Sequence, residues 1–148
     1  MDKLEKLFEM QTALNDSIFQ KRGVKASDGL PLTMAKLMAE GAAQTAKGPL
    51  SDTNVWLSNY LRALDDESRE LREELLWKWW SKDSLDMQNI RVEIVDQLHF
   101  WLSLALAAGM DAAKVFDIYS QKNALNFARQ ERGYSKATKD GNDCKEIG

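Results

Sequence analysis

The chain has 148 residues, 44% of them hydrophobic and 29% charged, with a formal net charge of -3 and a pI near 5.2. That allows one globular domain with a real core and argues against the basic face of a nucleic-acid coat protein. The single cysteine, Cys144, excludes an intrachain disulfide and a cysteine-based zinc site.

Met1-Asp2-Lys3 leads directly into a charged amphipathic pattern, so no signal peptide is expected. The apolar run Ile94 to Met110 is interrupted by Asp96, Gln97 and His99 and reads as a core helix, not a membrane span. A cytoplasmic protein is expected, with no membrane or nucleic-acid partner. Strand-like alternation never persists, and the two prolines and eight glycines fall mostly between helical patterns. The predicted fold class is all-α: a bundle of about five helices with a four-helix core. One domain is expected over residues 1–134, followed by a polar tail at 135–148 that a ligand could order.

The first helix is predicted from Asp2 to Lys21, with Leu4, Leu7, Phe8, Leu14 and Ile18 as its apolar stripe. Gln11 and Asn15 fall inside that stripe, one turn apart. Two readings fit them: amides that fix helix register, or amides that read the hydrogen-bonding edge of a ligand such as a base. After a loop from Arg22 to Gly29, a second helix is predicted from Leu30 to Ala46, with Pro31 in its first turn. Lys47-Gly48-Pro49 ends it.

Ser51, Asp52 and Thr53 can cap a third helix, predicted from Asn54 to Trp80. Leu57, Leu61, Leu64, Leu71 and Leu75 define its core face. Glu67 and Glu70 stand three residues apart, so both carboxylates face one side, with Trp56, Tyr60 and Glu74 near the Glu67 side. A solvated acidic face explains them as well as a site does, because Asp65, Asp66, Glu73 and Glu74 surround them. Trp77, Trp79 and Trp80 read mainly as packing residues that end this helix; aromatic walls also suit a flat base.

The fourth helix, predicted from Met87 to Ala108, is more informative. Between Val92 and Met110 the only formal charges are Glu93 and Asp96, again three apart. Two acids on one side of an apolar helix are costly unless paired with cations or bound to metal. If the third and fourth helices face each other, four carboxylates converge. A hard divalent cation with oxygen ligands is then the natural partner, Mg²⁺ when phosphate is also present. His99, the single histidine, fits either a ligand or base role or a core histidine bonded to a backbone carbonyl. One histidine is too few for a carboxylate-bridged di-iron bundle, which needs Glu-x-x-His twice. Gly109 ends this helix, and Asp111 caps a fifth, predicted from Ala112 to Arg132. On it Lys122, Asn126 and Arg129 recur at i, i+4 and i+7. That is either an ordinary exposed strip or a polyphosphate holder.

Four stretches together resemble a known family. They are Met10-Gln11-x-x-Leu14-Asn15-Asp16, Leu76-Trp77-Lys78-Trp79-Trp80, Asn89 to Phe100 with Glu93-x-x-Asp96 inside it, and Lys122-Asn123-x-x-Asn126-x-x-Arg129-Gln130-x-x-Gly133-Tyr134. With Glu67-x-x-Glu70 they resemble the all-α nucleoside triphosphate pyrophosphohydrolases of MazG type, and within these the dimeric dUTPases. The resemblance implies Mg²⁺-dependent hydrolysis of dUTP to dUMP and pyrophosphate, with about two or three Mg²⁺ per site and Mn²⁺ as a substitute. It implies Glu67, Glu70, Glu93 and Asp96 as metal ligands, with Glu67 or Glu70 also taking the water proton. It implies Gln11 and Asn15, with Trp56 and Tyr60, around the base. Lys122, Asn126, Arg129, Tyr134 and Lys139 would contact phosphates.

The chain departs from the dimeric dUTPases in length. Those proteins often carry extra helices where this one has only the Gly109 turn, and Tyr60 stands where a tryptophan is expected. Relatives acting on dCTP, a purine dNTP or modified nucleotides are therefore a second reading, and a non-catalytic helical oligomerisation protein a third. A homodimer or higher homo-oligomer is expected, because a thin bundle cannot bury this much apolar surface.

Overall fold

The structure, a computed structural model, describes residues 1–133 and 141–148, with residues 141 and 142 described by backbone alone. Tyr134 and Lys139, two of the expected phosphate contacts, lie outside the described residues. Five helices account for nearly all the regular structure: α1 (Lys3–Arg22), α2 (Met34–Ala42), α3 (Asp52–Glu74), α4 (Met87–Ala107) and α5 (Ala112–Glu131). A 3-10 turn follows at Gly141–Cys144. Among the described residues the only extended pairing is one bridge, Lys25 to Pro31, so the all-α expectation holds. No described helix is long and apolar enough to cross a membrane. The chain divides into two compact units, Met1–Met110 and Asp111–Gly148.

Each helix begins where its sequence supplies a cap. Asp2 and Glu5 form a reciprocal capping box on α1, while Thr33, Ser51, Asp86 and Asp111 accept from the first turns of α2 to α5. Gly23 closes α1 in the left-handed conformation, at φ 61°. The cap of α2 sits at Thr33, later than expected, because Leu30 and Pro31 are drawn into the small hairpin around Lys25. There Ala26 N donates to Leu30 O and Leu32 N to Val24 O. At its other end Lys47 Nζ donates to the Ala43 and Thr45 carbonyls, and α2 stops at Ala42.

α3 ends at Glu74, six residues short of the predicted Trp80. The last turns carry Glu70, Glu73 and Glu74 at the negative end of the helix dipole, which opposes extension, and Leu75 turns into extended backbone. The tryptophans that follow are therefore not core. Trp77, Trp79 and Trp80 are 75%, 88% and 61% exposed and pack edge-on against one another.

In the first unit α3 and α4 form the main helix pair. Their sense is antiparallel: Ser68 Oγ donates to Gln97 Oε1, while the charge on Glu93 is felt with Glu70 and Glu74. α1 runs parallel to α4, since Gln11 meets His99 and Asn15 meets Ser103, four residues on in each helix. α2 crosses the end of α4 at contact distance. A Cβ on Gly41 would lie 2.2 Å from the Ala107 carbonyl oxygen, and one on Gly109 would lie 2.3 Å from Ala42 N. Short polar ties fix the connections: Met34 N donates to Asp16, Ser27 donates from N and Oγ to Asp52, and Thr53 donates from N and Oγ1 to Glu40.

Burial differs from the predicted stripes in α1, α3 and α4. Of the core residues expected for α3, Leu61 and Leu75 are exposed, and Tyr60 is buried in their place. On α1 the buried face is Phe8, Gln11, Asn15 and Phe19, while Leu7, Leu14 and Ile18 form an exposed ridge. The amides turn inward because α4 offers them partners, and this rotates the aliphatic side chains outward. On α4 the buried residues concentrate in the second half, at Leu102, Ser103, Ala105, Leu106 and Ala107. Val92, Ile94 and Val95, beside the acids, are exposed.

A carboxylate cluster between two helices as the candidate active site

Glu67 on α3 and Glu93 and Asp96 on α4 bring one carboxylate oxygen each within 4.8 Å of one another. The i, i+3 spacing on α4 and the level packing of the two helices produce this convergence. All three residues are half-buried, yet Glu67 Oε2 and Glu93 Oε2 are sealed from solvent with no hydrogen-bond partner. Desolvation, then the charges of Glu70 and Asp96, push the Glu67 and Glu93 carboxyls above the usual range; Glu74 adds to Glu93. Glu70 borders the cluster as a charged neighbour and stands outside the three-oxygen group.

Among the described residues no cation pairs with any of these four carboxylates. The nearest arginine in sequence, Arg69, is bonded to Asp66 and Glu73. Structural ion pairing therefore does not explain the cluster. Sealed, unpartnered oxygens on converging carboxylates form the donor set a hard divalent cation takes.

The two amides of α1 face α4 and are 5% exposed. A chain of bonds joins them. His99 Nδ1 meets Gln11 Oε1 at 2.7 Å, Gln11 Nε2 donates to Asn15 Oδ1 at 2.9 Å, Asn15 Nδ2 donates to Ser103 Oγ at 3.0 Å, and Ser103 Oγ donates to the His99 carbonyl at 2.9 Å. The direction of every bond follows from the last. A carbonyl can only accept, so Ser103 must spend its hydrogen there and accept from Asn15. Asn15 must then turn its oxygen to Gln11, and Gln11 its oxygen to His99, whose Nδ1 carries the proton. His99 thus bonds a side-chain amide, not the backbone carbonyl expected of a core histidine. Neither its role nor that of Ser103 is visible in sequence, since nothing in spacing links positions 88 residues apart.

Trp56 and Tyr60 lie together on α3. Trp56 is edge-on to Phe19 at 4.8 Å and tilted against Tyr60 at 5.5 Å. The Tyr60 hydroxyl reaches Met34 Sδ at 3.8 Å. Burial, then the charge of Asp16, pushes its pKa well up, so it stays neutral.

In the second unit the α5 strip is engaged. Arg129 is buried and donates from Nε and Nη2 to the two oxygens of Asp143, at 2.8 and 2.5 Å. Lys122 Nζ donates to Cys144 Sγ at 2.8 Å, and Asn126 is exposed.

An all-helical chain with clustered acids from two antiparallel helices and an amide pair on a third defines the class to which this protein belongs. Its family is the dUTPases: the family model for dUTPase matches residues 3–115, so the chain is a member. It is 36% identical to a dCTP pyrophosphatase of Enterobacteria phage LZ5, over 53% of this chain and 60% of that protein. It is 31% identical to a dCTP pyrophosphatase of Enterobacteria phage T4, over 56% and 63%. A phage T4 DNA replication protein matches at 28% identity, over 49% of this chain and 25% of that protein. The chain spans about three-fifths of the length of the two curated pyrophosphatases. No solved structure matches.

Proposed function

We propose that this chain hydrolyses a pyrimidine deoxynucleoside triphosphate, dUTP in the first reading, to the monophosphate and pyrophosphate, with Mg²⁺. The observation that carries the reading is the Glu67, Glu93 and Asp96 cluster with its two sealed, unpartnered oxygens. Glu67, Glu93 and Asp96 would hold the cation, with Glu70 beside them. A bound divalent cation supplies neutralisation of phosphate charge, without which a triphosphate repels its nucleophile. Glu67 or Glu70 takes the proton of the attacking water as the α–β phosphate bridge breaks and pyrophosphate leaves. Lys122, Asn126 and Arg129 are assigned to the phosphates by their chemistry, as charge-assisted donors on one helix face. Gln11 and Asn15 are assigned to the base edge, with Trp56 and Tyr60 as its apolar surround.

The second reading, dCTP in place of dUTP, has its own support. The bond directions above commit one N–H and one oxygen lone pair of each amide inside the protein, or to His99, so each amide keeps one N–H that can donate to a base edge. Cytosine offers neighbouring acceptors at N3 and O2, where uracil interposes an N3–H. The two phage relatives named dCTP pyrophosphatase point the same way. Steady-state turnover of dUTP, dCTP, dTTP and the purine dNTPs with Mg²⁺ separates the readings. No hydrolysis of any of them, with no Mg²⁺-dependent thermal shift, refutes both.

Homo-oligomerisation belongs to the same proposal. Leu7, Met10, Leu14 and Ile18 line one flank of α1, and Val95 and Leu98 stand on α4 beside it, all exposed. A groove of about 250 Å³ runs between them over Gln11 and His99. A second copy would cover this surface. Sedimentation at micromolar concentration tests it, and a monomer there refutes it.

A further inference from the structure

The structure assigns Asp143 as a resident anion that holds the Lys122 and Arg129 site until a di- or triphosphate displaces it. The inference rests on the proposed phosphate role of those two cations and adds how their site is kept and exchanged.

The geometry is that of a ligand, made by the chain itself. Arg129 offers its guanidinium edge to both oxygens of Asp143 in the fork arrangement used for carboxylates and phosphates alike. Arg132 Nη2 stands 3.9 Å from the same carboxylate, which makes Asp143 the focus of two arginines. The next residue continues the pattern. Cys144 Sγ accepts from Lys122 Nζ at 2.8 Å and from Arg129 Nη2 at 3.4 Å. So the turn Gly141–Cys144 occupies the two cations of the strip with one carboxylate and one sulfur, both within the second unit. The hydrogen bond from Arg129 holds the Asp143 carboxyl below its usual range, so it is an anion at neutral pH.

A carboxylate carries one charge and two acceptor oxygens. A pyrophosphate carries more of both and can span Lys122 and Arg129 together, so it wins the exchange once its concentration is sufficient. Until then the built-in anion fills the guanidinium edge of buried Arg129 that the phosphate would take. Occupancy by Asp143 lowers apparent phosphate affinity by the fraction of molecules in which it is released. Cys144 reports that fraction, because releasing the turn frees the chain's one thiol.

The experiment uses the full-length protein in EDTA, so that the carboxylate cluster holds no metal, with inorganic pyrophosphate as the probe. The alkylation rate of Cys144 by iodoacetamide is measured as pyrophosphate is titrated, and pyrophosphate affinity is measured by calorimetry. The unsubstituted protein should show a saturable rise in alkylation rate. Asp143→Asn should show the fast rate without pyrophosphate and bind pyrophosphate more tightly, by roughly tenfold, the low end of what a charge-assisted bond supplies. Lys122→Ala should lose the pyrophosphate response.

An alkylation rate indifferent to pyrophosphate overturns the inference. So does equal or weaker pyrophosphate affinity in Asp143→Asn, or an unchanged response in Lys122→Ala. None of these readings needs turnover. A chain that shows the exchange but hydrolyses no dNTP refutes the proposed function alone, and one that turns over dNTPs without the exchange refutes this inference alone.

Discussion

Replacing Ser103 by alanine should cost more stability than a lost hydroxyl on a helix normally does. Ser103 is fully buried and its oxygen is the acceptor for Asn15, itself 5% exposed. The bond from Ser103 to the His99 carbonyl is the cheaper loss, since that carbonyl already accepts within the helix. The expensive loss is the Asn15 N–H left without a partner in the interior, about 1–3 kcal/mol. For a chain of this length that lowers Tm by roughly 3–9 °C. Urea denaturation of Ser103→Ala, Asn15→Ala and the double variant measures it, and the pair should couple by about 1 kcal/mol.

The same substitution releases the constraint that fixes both amides. The ratio of kcat/KM for dUTP and dCTP should move toward one in Ser103→Ala, while the metal dependence stays. A variant within about 0.5 kcal/mol of the parent, or strictly additive effects, would show that the bonds have no directional authority. A collapsed stability with an unmoved ratio would confine the network to structure.

Three further outcomes follow from the cluster and the helix crossing. Saturating Mg²⁺ should raise the melting temperature by the several degrees that about 2.7 kcal/mol of ligand linkage gives at a hundredfold excess over Kd. Glu93→Gln should abolish both that rise and turnover, and a retained rise would remove Glu93 from the metal site. Because the Glu67 and Glu93 carboxyls lie above their unfolded values, their contribution favours the fold when protonated and is lost as pH rises through the folded pKa. Metal-free protein should therefore lose this contribution as pH rises above the ordinary carboxylate range, and Mg²⁺ should stabilise more at the higher pH; a metal-free pH profile of melting that Glu67→Gln and Glu93→Gln leave unchanged would contradict this. Gly41→Ala gains about 1 kcal/mol of helix propensity but must push backbone atoms away from 2.2 Å. A net loss of about 1–3 kcal/mol is expected in thermal unfolding, and an unchanged or raised Tm would refute the tight crossing.

The carboxylate pairs were legible because i, i+3 spacing is a local rule and because Glu93 and Asp96 interrupt an apolar run. The helix starts were legible from their caps, except at Thr33, where a hairpin between Lys25 and Pro31 competes with the first turn. The end of α3 was misjudged because leucine periodicity continues to Leu75, while the acids at the helix end act against it. The rotation of α1 could not be read from α1 alone. Leucines and amides both fit its inner face, and partners on α4 decided between them. Asp143 gave no signal either, since an acidic residue in a polar tail has no periodic pattern to mark it.

The glycine crossing at Gly41 and Gly109 bears on the carboxylates although it does not touch them. Asp96 lies thirteen residues before Gly109, about 20 Å along a helix. Over that lever arm a tilt of one degree at the crossing displaces the acids by about 0.3 Å, and three degrees by about 1 Å. Coordination by oxygen tolerates only a few tenths of an ångström. The side chains missing at Gly41 on α2 and at Gly109 just past α4 thus bear on the aim of Glu93 and Asp96 in the middle of that helix. A lineage that enlarged either glycine would lose accuracy at the cluster before it lost the fold.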